Sequence, residues 1–135
     1  MALNAWEDSF KVDVQILDAQ HYDLFLKIAE LRSALEDGEG RNILGRYLHD
    51  LIQHMREHFS LEEQMLSETN YPAIERHRAA HRRMLRDVRG FVQRHESGEV
   101  GVSIALMRFL DEVLAYHILG HDRPYSEHLH HHGIQ

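Results

Sequence analysis

Cysteine is absent from all 135 residues, which excludes disulfides, thiolate metal sites and iron–sulfur clusters. Any metal would have to be held by nitrogen and oxygen donors. No apolar run approaches the roughly 18 residues that a membrane span requires, and the basic-then-apolar start of a signal peptide is missing. The expectation is a cytoplasmic protein with no membrane association. Basic charge is in short supply as well: the net charge of −7 argues against a nucleic-acid partner. The length suits a single domain over 1–135, with one sizeable core. What the chain has in excess is histidine, at thirteen residues, the commonest of the metal-binding side chains.

Four stretches carry a helical period. Residues 1–17 come first and alternate apolar with polar from Phe10 through Val12, Val14 and Ile16. With no second strand-like stretch to pair with, they read as an extended arm laid across a helical body over 18–119. Asp18 is the expected N-cap of a helix to about Glu36, ended by Gly38 and Gly40, with His21 on the stripe of Leu24, Phe25, Ile28, Leu31 and Leu35. A second helix is predicted over 41–67, its apolar face holding Leu44, Leu48, Leu51, Ile52, Met55, His58, Phe59, Glu62, Met65 and Leu66. The turn Thr69-Asn70-Tyr71-Pro72 should place Asn70 or Tyr71 as cap of a third helix, with Pro72 in its first turn. Along that third helix, 72–96, His77 and His81 sit inside the stripe of Ile74, Met84, Leu85, Val88, Phe91 and Val92, opposite a run of arginines that reads as a solvated face. A fourth helix over 102–119 turns Ile104, Leu106, Met107, Leu110, Val113, Leu114 and His117 inward. Short connections make the expected architecture an all-α, up-down-up-down four-helix bundle. Residues 120–135 follow as a C-terminal segment, its histidine-rich end expected to be a frayed tail that binds metal only adventitiously.

The inward histidines carry the chemistry. His58 and Glu62 are one helical turn apart, as are His77 and His81, so each pair can address one centre from one side. Adding His21 and His117 gives every helix an inward ligand. Any one of these alone reads as a satisfied core histidine. Together, without a metal, they would leave buried polar groups that cost roughly 1–3 kcal/mol each. Five histidines and a carboxylate exceed one tetrahedral ion and would saturate one octahedral ion, so two ions bridged by carboxylate fit better. Glu62 supplies one bridge. For the second, helical phase from His117 selects His121, whereas the charge needed between two buried divalent ions favours Asp122, reached if the helix bulges or ends at Gly120.

These motifs resemble those of the hemerythrin family, specifically its single-domain bacterial members. The resemblance rests on His21 within Asp-Ala-Gln-His, on His58-Phe-Ser-Leu-Glu62-Glu63, on Tyr71-Pro72 followed by His77-x3-His81, and on His117-Ile-Leu-Gly-His-Asp122 with Tyr125 beyond. It covers nearly the whole chain, the arm with Trp6 included. It implies a four-helix bundle that binds dioxygen reversibly, for storage, delivery or sensing, at two iron ions bridged by an oxo or hydroxo group and two carboxylates. His77, His81 and His117 would hold one iron, His21 and His58 the other, with Glu62 and Asp122 bridging. Dioxygen or another small ligand would then bind at the iron with the open position. The resemblance thus selects Asp122 over His121.

Leu24, Phe59 and Ile118 match the family's apolar ligand pocket. Val113 stands where a bulky Trp is common, and Gly120 replaces a larger apolar residue, so the pocket is expected to be roomy and the iron quick to autoxidise. The competing readings are a di-iron enzyme acting on peroxide, dioxygen or nitric oxide, and a metal-free interaction module. A ferritin-like oxidase is disfavoured, because the one Glu-x-x-His pattern, Glu127 with His130, falls in the C-terminal segment.

Overall fold

The computed structural model describes residues 11–38, 41–98, 102–117 and 124–135. Helices α1 (Gln15–Glu36), α2 (Arg41–Glu68), α3 (Ile74–Glu96) and α4 (Val102–His117) form the bundle, and a short α5 (Tyr125–His131) lies beyond it. There is no strand among the described residues. Each long helix packs on the next, and α4 returns to α1, which closes the four into one bundle. The α1–α4 seam is pinned by the Arg32 guanidinium, which donates to the Asp111 carboxylate at 2.5 Å.

Most described members of the predicted stripes are buried or half-buried. Leu24, Phe25, Ile28 and Leu31 of α1 meet Leu44, Leu48, Leu51, Ile52, Met55 and Phe59 of α2, with Met84, Val88 and Val92 of α3 and Leu106, Met107 and Leu110 of α4 completing this cluster. The arginine face of α3 is exposed except for Arg78, half-buried against Glu75 and Glu63. Ile104 departs from its expected inward position and is 72% exposed, because it lies at the start of α4 before the helix settles against its neighbours.

A second apolar cluster closes one end of the bundle. It joins Val12, Val14 and Leu17 to Leu66, Tyr125 and Leu129, flanked by Leu61, Met65, Tyr71, Ile74 and Ile134. Here the alternation of the arm has its use: Val12 and Val14 are buried while Lys11 and Asp13 are exposed. Asp18 does not cap α1 as expected, since the helix already opens after Val14. Its carboxylate reaches back instead to accept from the backbone N–H of Val12 at 2.7 Å and of Asp13 at 3.1 Å, which ties the arm to the helix.

The α2–α3 corner also differs from expectation. Asn70 takes a left-handed φ of +56°, and α3 begins only after Ala73, so Pro72 precedes the helix. Asn70 N–H donates to the Ser67 carbonyl and Tyr71 N–H to that of Leu66, with Tyr71 and Leu66 in the same apolar cluster. That is the Schellman ending of α2, in which Asn is the best substitute for glycine. The C-terminus is not frayed either. Tyr125 and Leu129, one turn apart, are fully buried, and Gly133 at φ +77° ends α5 with the same paired bonds, letting Ile134 fold back on Leu129.

Candidate metal centre

Between the two apolar clusters lies a polar layer. On α1 His21 falls between Leu17 and Leu24; on α2 His58 and Glu62 fall between Met55 and Leu66; on α3 His77 and His81 fall between Ile74 and Met84. All five are essentially inaccessible to water. The Glu62 carboxylate is the hub. One oxygen, Oε2, faces His58 Nε2 and lies 3.4 Å from His21 Nε2; the other, Oε1, lies 2.5 Å from His77 Nε2 and 3.3 Å from His81 Nε2. The five donors thus form two triads, His21–His58–Glu62 and Glu62–His77–His81, each with its ligand atoms within 4.8 Å of one another.

The outer nitrogens explain the orientation of two rings. His58 Nδ1–H donates to the Gln20 side-chain oxygen at 2.7 Å, and His81 Nδ1–H donates to Glu63 at 3.0 Å. A neutral imidazole so oriented points the lone pair of Nε2 at Glu62. Lone pair then faces carboxylate oxygen, an arrangement that requires a positive charge between them. A metal cation meets that requirement, as the paired nitrogen and oxygen donors and their oriented outer shell suit imidazole-preferring transition metals. Without one, protons must serve. Burial alone would push the Glu62 carboxyl up, yet the charge on His58 and the hydrogen bonds from His21, His58 and His77 hold it well below its usual value. Burial likewise disfavours protonated His81, but its bonds to Glu62 and Glu63 outweigh this and raise its pKa.

Of the pocket residues expected from the sequence, Leu24 and Phe59 are buried beside this layer. Phe59 stacks face to face on His81, centroids 3.8 Å apart and nearly parallel at 7°. It also lines an open groove between α2 and α3 of about 570 Å³, with Arg56, Ser60, Glu63, Arg78 and Leu85. The side chains of Val113 and His117, and all of Ile118, Gly120, His121 and Asp122, lie outside the described residues. Gln20 and Glu63, which hydrogen-bond two rings of the layer, are the side chains that ligand-spacing alone passes over. Their signal was adjacency, since each directly neighbours a ligand candidate in sequence. Tyr125 closes the layer from the capped end, its ring 5.6 Å from that of His77.

Comparison with known proteins agrees with this geometry. The sequence model of the hemerythrin HHE cation binding domain matches residues 12–129. A bacteriohemerythrin of Stenotrophomonas maltophilia is 27% identical over 94% of this chain and 82% of its own length. A myohemerythrin of Riftia pachyptila is 30% identical over 92% of each chain. A crystal structure of wild-type hemerythrin superposes with a TM-score of 0.87 at 27% identity, covering 95% of this chain and 98% of that one. A domain model spanning most of the sequence, relatives aligned nearly end to end and a matching bundle together place this chain in the hemerythrin family.

Proposed function

We propose that this protein binds dioxygen reversibly at a non-haem di-iron centre built on the polar layer. The observation that carries the reading is Glu62: one buried carboxylate whose two oxygens each serve a separate pair of imidazoles. In this reading His21 and His58 would hold one iron, His77, His81 and His117 would hold the other, and Glu62 and Asp122 would be shared between the two. When bound, the iron pair supplies the electrons and the open coordination position that dioxygen needs. An oxo or hydroxo group would complete the cofactor.

The protein's own side chains set the conditions. With two histidines against three, the His21–His58 side would leave room for an exogenous ligand. Gln20 and Glu63 fix the tautomers of His58 and His81 so that Nε2 faces inward. Leu24 and Phe59 line the layer with hydrocarbon and keep out water and competing anions. The apolar clusters above and below exclude solvent from both ends, and the family relationship to bacteriohemerythrin and myohemerythrin supports the assignment. No described helix is long and apolar enough to cross a membrane.

Metal analysis combined with the absorption spectrum before reduction, after reduction and after exposure to air tests the proposal. A pair of irons per chain and a spectrum that returns on each cycle of oxygenation and deoxygenation are expected. Irreversible oxidation at first contact with oxygen, with turnover of peroxide, would instead identify an enzyme.

A further inference from the structure

Four more histidines lie outside the bundle layer, at and just after α5: His128, His130, His131 and His132. Their surroundings divide them. His130 Nε2–H donates to the Asp13 carbonyl at 2.7 Å, and exposed His131 lies 3.6 Å from Glu127. His128 and His132, one helical turn apart, face each other with ring centroids 4.6 Å apart. Both rings are held by oxygen partners that determine where the proton sits.

Thr69 gives its hydroxyl proton to the Met65 carbonyl at 2.8 Å, so the 2.9 Å bond between Thr69 and His128 is donated by His128 Nε2. The His128 carbonyl can only accept, so its 2.9 Å bond with His132 is donated by His132 Nδ1. Each ring keeps one nitrogen lone pair: Nδ1 of His128 and Nε2 of His132. An oriented outer N–H with the opposite nitrogen left over is the arrangement found in metal-ligating histidines. The spacing of four residues is the one by which paired histidines on one helix face hold zinc.

We infer that His128 and His132 form a second metal site, separate from the bundle centre, for a late first-row divalent ion such as Zn²⁺, Ni²⁺ or Cu²⁺. Two imidazoles supply the protein ligands and water completes the coordination. Copper should bind most tightly, by the usual order of these ions on nitrogen donors. Because His128 is anchored to Thr69 at the end of α2 and packs on Tyr71 at 4.9 Å, an ion here fixes the ring that ties the C-terminal helix to the α2–α3 corner.

The test is calorimetric titration of Zn²⁺ into the iron-loaded full chain, with His132→Ala, His130→Ala and His131→Ala alongside. His132 is exposed, so its replacement leaves the fold intact. Expected is one zinc ion per chain beyond the bundle centre, weakened about tenfold or more by His132→Ala, since even outer-shell losses cost that much, and unchanged by His131→Ala. Zinc should also raise the Tm of the wild type but not of His132→Ala. Equal weakening by all three substitutions would reveal a diffuse histidine-rich surface and overturn the site, as would wild-type affinity in His132→Ala. The increment lost with His132 is read independently of which ion fills the bundle, so this outcome and that of the di-iron reading are separable.

Discussion

Replacing Glu62 with Ala removes the carboxylate that faces four imidazoles, and its cost is separable into folding and metal loading. In the metal-free protein, Glu62 is fully buried and balances the protonated histidines around it. Deleting one partner from a buried charge cluster costs roughly 3–5 kcal/mol. Against a total stability of about 5–15 kcal/mol, that lowers the Tm of a chain this size by about 10–20 °C. The pH dependence identifies the cause. The Glu62 pKa is depressed, so its stabilisation is present in full above the ordinary value of 4.5 and is lost as pH falls through the lower folded value. The gap between metal-free wild type and variant, followed by thermal or urea unfolding, should therefore be wide at neutral pH and narrow steadily below about pH 4. Glu62→Gln, which keeps the shape and loses the charge, should show the same narrowing. Metal analysis of the reconstituted variants should find less than the full pair of irons. A variant within about 1 kcal/mol of wild type at neutral pH that also takes up the full pair would refute the role given to this carboxylate.

Glu63→Gln should leave the fold intact while weakening metal retention roughly 10–100-fold, measured by chelator competition, because His81 loses its carboxylate partner. The raised His81 pKa means that its contribution to metal-free stability is present below about pH 6.5 and lost as pH rises through the higher folded value, so ferrous loading near neutral pH should release protons measurable by pH-stat. Leu129→Ala should cost about 2–5 kcal/mol in urea unfolding and expose the C-terminal segment to protease, since this fully buried side chain anchors α5. Asn70→Ala should destabilise by roughly 1 kcal/mol, and Asn70→Gly should be neutral or better, because the backbone there is left-handed.

The four long helices were legible because each buries one continuous stripe, and the ligand candidates of the described layer were legible because they interrupt those stripes in phase. His21, His77 and His81 fall in line with leucines and valines, a placement that polar residues rarely take without a partner. What escaped the reading was whatever depends on two segments meeting. Asp18 looks like a helix start, and only the folded arm shows that it serves Val12 and Asp13. Asn70 favours the beginning of a helix and the end of one alike, and the choice is made by Tyr71 packing on Leu66. Helix α5 is only seven residues long and rich in histidine, so no periodic stripe could form; its two anchors, Tyr125 and Leu129, make sense only against Val12, Val14 and Leu17. Gln20 and Glu63 escaped because an orienting partner is defined by the ring it touches.

The cap over the polar layer is stitched from opposite regions of the chain. Ser126 donates to the Val12 carbonyl across 114 positions, and His130 donates to that of Asp13 across 117. With the small apolar cluster around Leu17 and Leu129, these bonds hold the arm and α5 together, so the cap should open locally at lower cost than the bundle helices separate. The buried layer should therefore be reached through local opening of this cap rather than through unfolding of the bundle. Exchange of iron with the surroundings should keep time with protection of the amides of α5 and the arm, while the amides of α2 stay shut.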